Sequence, residues 1–351
     1  MSSVFAGKRG GLIAASALLI GIVLPFIPGV YVVLAVDVLC FALFAVSLDL
    51  LLGFGGMLSF GHALFWGGAA YAALITYNAS GQNIALAILA GLAYSAVLAL
   101  ISGIISIQRH GIYFAMITLA LAQLQYFFAF QLVAVTGGEN GISFTNRSSL
   151  LGIPLDQDIV YYFFVLAIVA LSVAFTLRVV TSPFGAVLAA MRDNEQRAKS
   201  LGYDVQRFKL MTFVMSGVIA GLAGTLFALA NRLAGLDGVD WHTSGKVVMM
   251  TILGGIGTIF GPMAGAAIFE MLDYFVSKTP LADKTNIVMG LIFAVVILAA
   301  RRGVVGEILH ATLMRPKKLL VEDETKPGAP LVPEPSEPQL EPDRADDPLK
   351  K

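Results

Sequence analysis

Apolar residues fill this chain in blocks of about twenty, each as apolar on its outer surface as on its inner one. The blocks fall at 11–28, 30–52, 58–78, 84–107, 111–135, 158–181, 208–231, 244–276 and 285–300. At 1.5 Å per residue, about 20 residues of helix cross the ~30 Å hydrocarbon core of a bilayer. A helix satisfies its own backbone polar groups, as lipid requires, and the blocks lack the sustained alternation of barrel strands. The pattern predicts an all-α, polytopic integral membrane bundle. Block 11–28 follows Lys8 and Arg9 in the manner of a signal peptide. With no small-residue cleavage site before the next block, it reads as a retained span. Block 244–276 is too long for one span and is expected to break at Gly261-Pro262, because proline ends or kinks helices. It forms two short spans or a hairpin that enters and leaves on one side. Either way, 277–284 lies on the same side as 232–243, and the total is eight to ten spans.

Composition agrees, with 57% apolar residues, 13% charged residues and a mean hydropathy of +0.82. The net charge of zero gives no footing for nucleic-acid binding. The single cysteine, Cys40, lies in an apolar block, excludes an internal disulfide and reads as a small core residue. Lys and Arg placement orients the spans. With the N-terminus cytoplasmic, the inner segments hold Lys8, Arg9, Arg109, Arg192, Arg197, Lys199, Arg207, Lys209, Arg301 and Arg302. The outer segments hold only Arg147, Arg232, Lys246, Lys278 and Lys284. Both termini are therefore expected to be cytoplasmic. The expected division is a cytoplasmic N-terminus (1–10), a transmembrane domain (11–315) and a Pro- and Glu-rich disordered cytoplasmic tail (316–351), which cannot bury enough surface to offset its ordering entropy.

Little in the chain suggests catalysis. His62, His110, His242 and His310 are scattered without metal-ligand spacing, and no Gly-x-Ser-x-Gly elbow occurs. Gly53-Phe54-Gly55-Gly56 lacks the Gly-Lys-Ser/Thr ending of a phosphate loop, so ATP hydrolysis by that route must come from another chain. No enzyme activity, cofactor or metal is expected. Ionisable residues inside the blocks are few: Asp37, Asp49, His62, Glu270 and Asp273. Such residues are costly in lipid, and these lie toward block ends where hydration or hydrogen bonding can satisfy them.

The most informative stretch is the hydrophilic loop at about 182–207. It opens with Ser182-Pro183-Phe184-Gly185 and continues through Met191-Arg192-Asp193-Asn194-Glu195 to Leu201-Gly202-Tyr203. Residues 186–201 read as one short amphipathic helix, with Arg192 and Gln196, and Asp193 and Arg197, four apart on a face. Gly202 fits its C-terminal stop. Elsewhere, Gly53, Gly55, Gly56, Ser59, Gly61 and His62 in one segment, and Gly254, Gly255, Gly257 and Gly261 in another, break apolar blocks. Glycines there allow either close helix packing or unwound backbone lining a cavity.

The stretch TSPFGAVLAAMRDNEQRAKSLGYDVQRFKLMTFVMSGVIAGLAGTLFA resembles the cytoplasmic coupling loop of ABC importer permeases, and more narrowly the M-subunit family of branched-chain amino-acid (LIV-type) importers. Further similar stretches are AVSLDLLLGFGGMLSFGHALFWGGAAYAAL, RHGIYFAMITLALAQL, TGGENGI and GGIGTIFGPMAGAAIFEML, together anchoring about residues 30–300. The resemblance implies that Arg192, Asn194, Glu195, Ala198, Leu201 and Gly202 form the ATPase-coupling element. Ala186 departs from the family, many of whose members carry arginine there. It further implies a homologous second permease, two ABC ATPase subunits and an extracytoplasmic substrate-binding protein, in the cell (inner) membrane. Glu139 and Asn140 become candidate contacts for the binding protein, and the two glycine segments candidates for the translocation path. Urea, short amides or other amino acids are alternative cargoes. An ion-coupled carrier using Asp37 or Asp49 is a further rival.

Overall fold

A computed structural model describes residues 21, 22, 25, 31–150, 153–280, 285–299 and 303. The expected span at 11–28, apart from residues 21, 22 and 25, lies outside the described residues. So do the tail at 316–351, Lys8, Arg9, Lys284, Arg301, Arg302 and His310.

The described chain is helical almost throughout. The α-helices of six residues or more are α1 (Val32–Asp49), α2 (His62–Ala79), α3 (Ile84–Ser106), α4 (Ile112–Gln131), α5 (Asp158–Val180), α6 (Pro183–Asp193), α7 (Glu195–Ser200), α8 (Val205–Asn231), α9 (Trp241–Gly254), α10 (Phe260–Ser277) and α11 (Thr285–Ala299). Among the described residues, five helical segments are long and apolar enough to cross a membrane: Val32–Phe54, Ile84–Ser106, Ile112–Gln131, Asp158–Val180 and Val205–Asn231. Helix α2 is central in the bundle. It packs against α3 and α8, and His62, Trp66 and Tyr71 are all buried. Trp66 lies among Phe41 and Phe44 of α1 and Phe227 of α8, with ring centroids 4.9, 4.5 and 5.1 Å away. Gly217, Gly221 and Gly224 make one small-residue stripe on α8. A Cβ on Gly224 would stand 2.1 Å from the Trp66 carbonyl oxygen, and one on Gly221 2.3 Å from Ser95 Cβ. Such close approach is how apolar helices gain packing contact when lipid offers the same hydrophobicity as a neighbouring helix.

One face of the bundle carries the 182–207 loop. On the opposite face, strand Ile142–Ser143 pairs antiparallel with Leu233–Ala234, and Ser149–Leu150 pairs with Ile153–Pro154. Arg147 ties this face together: its guanidinium donates to Asp158 (2.8 Å) and to the carbonyls of Leu155 (3.1 Å) and Ala230 (3.2 Å), and lies over the Tyr161 ring.

The long block 244–276 does break, though earlier than proline placement suggests. The helix stops at Gly254, turns through Gly255–Ile259 and restarts at Phe260, which leaves Gly261 and Pro262 in the first turn of α10. A first-turn proline forfeits an N–H that has no intrahelical partner anyway. Helices α9 and α10 are pressed together as a hairpin. A Cβ on Gly254 would lie 1.9 Å from the Gly261 carbonyl oxygen, and one on Gly265 2.0 Å from that of Met250. With 14 residues, α9 is about 21 Å long and does not span a bilayer alone. It begins deep in the bundle: the Ala63 N–H donates to Ser244 Oγ (2.9 Å), and Gly67 abuts Gly238. Along α2, Gly67 is about 15 Å from Tyr77, whose hydroxyl donates to Asn146 on the strand-bearing face (2.8 Å). The hairpin tip therefore points to the loop face, and Gly303 returns to pack on Gly255 there.

Candidate functional site

The 182–207 loop folds as two helices rather than one. Asn194 has extended φ/ψ of −158° and 100°, and its side-chain oxygen accepts the Arg197 N–H (2.9 Å), capping α7. Asparagine competes with the helix for backbone donors and wins at a cap. The break separates Arg192 from Gln196 and Asp193 from Arg197, which a single helix would have paired. Gly202, at φ +88°, ends α7. Its N–H donates to the Lys199 carbonyl (2.9 Å) and the Tyr203 N–H to the Ala198 carbonyl (3.2 Å), a Schellman arrangement that relieves two orphan carbonyls. Met191, Ala198 and Val205 form a small apolar core, flanked by Val187 and Phe208, with Phe184 stacked on Phe208.

Glu195 is the electrostatic hub. Its Oε2 accepts from Lys209 Nζ (2.7 Å) and lies 3.5 Å from His110 Nδ1, while Oε1 lies 3.0 Å from Lys199 Nζ. Partial burial acts to raise its carboxyl, but the hydrogen bonds from Lys209 and Lys199 and the neighbouring charges outweigh it and hold the group below the usual carboxylate range. One carboxylate thus joins α7, α8 and the 109–111 turn.

Arg192 turns inward. Its Nη1 donates to the Gly53 carbonyl at the end of α1, where the helix widens into a π-turn over Leu50–Phe54. Single π-turns inside helices recur at functional positions. One helical turn back, Asp49 Oδ1 accepts the N–H of Gly257 at the hairpin tip (2.7 Å). Three separate segments, the loop, the first glycine segment and the hairpin tip, therefore meet at one point. Beside it opens a cavity of about 600 Å³, lined by Gly55, Gly56, Met57, Phe60, Arg109, His110, Arg192, Glu195 and Lys209 among others.

The candidate residues fall into distinct positions. Of the loop set, Leu201 is 70% exposed and Gly202 is exposed, while Ala198 is core, Asn194 is the cap, Glu195 is the ionic hub and Arg192 reaches into the bundle. Gly55 and Gly56 line the cavity, and Gly53 and Gly257 flank the Asp49 hydrogen bond. Gly254, Gly255 and Gly261 serve the close contact within the hairpin. Ser59, Gly61 and His62 are packed at the start of α2: Ser59 Oγ accepts the Gly61 N–H (3.1 Å), and His62 Nε2 contacts Ser216 Oγ (2.9 Å). Because Ser216 donates to the Ser47 carbonyl (2.6 Å), it is the acceptor from His62. Glu139 and Asn140 are exposed on a short turn of the strand-bearing face. Sequence reading missed the inward direction of Arg192 and the parts played by Lys209, His110 and Arg109. The first and third were visible only as loop charges.

A polytopic helical bundle with a structured polar loop and glycine-broken helices meeting beneath it is the architecture of a membrane transport protein. The profile of the family described as branched-chain amino acid transport system, permease component, matches residues 30–300, and the chain belongs to that family. It is 27% identical over 259 residues to the high-affinity branched-chain amino acid transport system permease protein LivM of Salmonella typhimurium, covering 67% of this chain and 61% of that protein. It is 28% identical over 251 residues to the LivM protein of Escherichia coli, covering 64% and 59%. The autoinducer 2 import system permease protein LsrC of Yersinia enterocolitica is 33% identical over 113 residues, covering 30% of this chain and 31% of that protein. The chain thus spans about three-fifths of the length of the LivM relatives. No solved structure matches.

Proposed function

We propose that this chain is the membrane-spanning permease subunit of an ATP-binding-cassette importer that carries branched-chain amino acids handed over by a substrate-binding protein. It works beside a homologous second permease, and the pair is driven by two ATPase subunits, one of them docked on the 182–207 loop of this chain. The observation that carries the reading is the build of that loop. A capped helix pair with its own core presents exposed Leu201, while Arg192 reaches back to the glycine segments. A connector between spans needs neither a dedicated core nor an ionic hub, whereas a helix seated in the groove of a motor needs both to bear load. The loop face is cytoplasmic in this reading, as are both termini, following the Lys and Arg bias. The segments around 53–62 and 254–262 line the path, and Glu139 and Asn140 face the binding protein. No covalent chemistry takes place on this chain.

The similarity to LsrC supports a second reading of the cargo, a small polar solute other than an amino acid. The test is reconstitution of the chain with its co-purifying permease, ATPases and binding protein in liposomes. ATP-dependent accumulation of labelled leucine, isoleucine or valine supports the first reading. Accumulation of urea, amides or autoinducer 2 in place of these supports the second. Uptake driven by an ion gradient without ATP overturns both.

A further inference from the structure

Arg192 sits on a loop outside the bundle, yet its side chain runs through a slot between two glycines. Its Cγ lies 3.1 Å from where a Cβ on Gly56 would be, and its Nη1 3.4 Å from where one on Gly257 would be. It ends on a neutral acceptor, the Gly53 carbonyl. One turn earlier on the same helix stands Asp49, 1% exposed, with Oδ1 committed to the Gly257 N–H. Its Oδ2 is buried and accepts no hydrogen bond of ordinary geometry, the Thr258 N–H acting on the carboxylate less than that of Gly257. A buried carboxylate oxygen left unsatisfied is expensive, and a nearby arginine is the group best suited to satisfy it. The guanidinium is instead parked on a carbonyl four residues away.

We propose that Arg192 exchanges between two acceptors, the Gly53 carbonyl and the Asp49 carboxylate, and that this exchange carries movement of α6 and α7 to the hairpin tip at Gly255–Ile259. In the arrangement seen here Arg192 holds the π-turn, and Asp49 holds the tip through Gly257. When the loop shifts, the guanidinium pairs with Asp49 Oδ2, turns the carboxylate away from the Gly257 N–H on Oδ1 and loosens the tip from α1. The glycines at 53, 56 and 257 keep the slot open for this travel. Asp49 and Arg192 are thus positioning residues, acting on the path through the hairpin. The proposal rests on the permease reading, because an ATPase bound to the loop is what moves it.

The experiment uses the reconstituted importer with the native chain, Asp49→Asn and Arg192→Lys, measuring uptake and ATP hydrolysis together with the unfolding temperature of each complex. Asparagine keeps the size of Asp49 and an oxygen for the Gly257 N–H but lacks the charge that draws Arg192. The expected result for Asp49→Asn is uptake per ATP hydrolysed reduced about tenfold, with an unfolding temperature equal to or above native, since an unpaired buried charge is removed. Arg192→Lys, with one point charge in place of a fork, should lower the same ratio. Native uptake per ATP in both variants overturns the exchange. Loss of uptake accompanied by a matching fall in unfolding temperature also overturns it, and makes the pair a static brace. Failure of the permease reading shows separately, as a native sample that recruits no ATPase and takes up nothing with ATP, and the proposal then falls with it.

Discussion

Asp49 and Gly257, 208 positions apart in the chain, are joined by a 2.7 Å hydrogen bond from backbone N–H to carboxylate. The bond exists because two glycines let the segments close. Gly257 has φ +77°, a region that residues with a Cβ enter only under strain. A Cβ on Gly53 would lie 2.2 Å from Asp49 Oδ1 and 2.6 Å from Gly257 N. Gly53→Ala should therefore force the tip away from α1 and lower stability by about 1–3 kcal/mol, read as a fall in the detergent unfolding temperature. Gly257→Ala should cost about 1–3 kcal/mol through backbone strain. Native unfolding temperatures in both variants would show that the junction is loose.

The α8 stripe predicts a graded series. Gly224→Ala places a methyl 2.1 Å from the Trp66 carbonyl oxygen, an atom that moves only if α2 and α8 separate. Gly217→Ala meets the Cβ of Ala99 at 2.6 Å, a contact a small shift of α3 can relieve. Gly245, inside α9, would meet nothing within 4 Å. Its replacement by Ala should be neutral or stabilise by up to about 1 kcal/mol through reduced unfolded-state freedom. Thermal unfolding of the three variants should rank Gly224→Ala lowest and Gly245→Ala highest.

Much of this architecture was legible in the sequence, because bilayer thickness and backbone satisfaction leave few options for long apolar blocks. The blocks ending at Ser106 and Val180 are readable to within a residue, and the one ending at Asn231 to within three at its start. Proline, the louder breaker, points to a break at Gly261-Pro262. The chain instead turned at Gly255–Ile259, since a first-turn proline costs a helix nothing. The split of the 182–207 loop was missed for a related reason: Asn194 reads as a helix-surface residue until its side chain is seen to cap α7. The Asp49–Gly257 contact was beyond sequence reading, as nothing local to either residue names the other.

Glu195 gives the loop a pH dependence. Its folded carboxyl is held below its ordinary value of 4.5, chiefly by Lys209 and Lys199 working against partial burial. A depressed carboxyl contributes stability above its unfolded value, and that stability is lost as pH falls through the folded one. Glu195→Gln should therefore destabilise the loop at pH 7, with the deficit against native shrinking as pH falls below about 4.5. Limited proteolysis between residues 193 and 204 after exposure to buffers from pH 7 down to about 2.5, which passes below the depressed carboxyl, provides the readout. A deficit independent of pH would mean that the carboxylate charge contributes nothing.

The sidedness of the chain can be decided at two exposed residues on opposite faces. Cys40 is fully buried in α1, so Cys40→Ala gives a cysteine-free background at the cost of one small side chain. Into it go Asn140→Cys, on the exposed turn Gly138–Asn140, and Leu201→Cys, at a position 70% exposed just past α7. A membrane-impermeant maleimide should label the first in intact cells and the second only after permeabilisation. That outcome puts the 182–207 loop in the cytoplasm, where a soluble ATPase can reach it. Labelling of Leu201→Cys in permeabilised membranes should fall when the ATPase is bound, because the cysteine then lies beneath the docked partner. The reverse pattern, with Leu201→Cys labelled in intact cells, would put the loop outside and remove the physical basis for coupling to ATP.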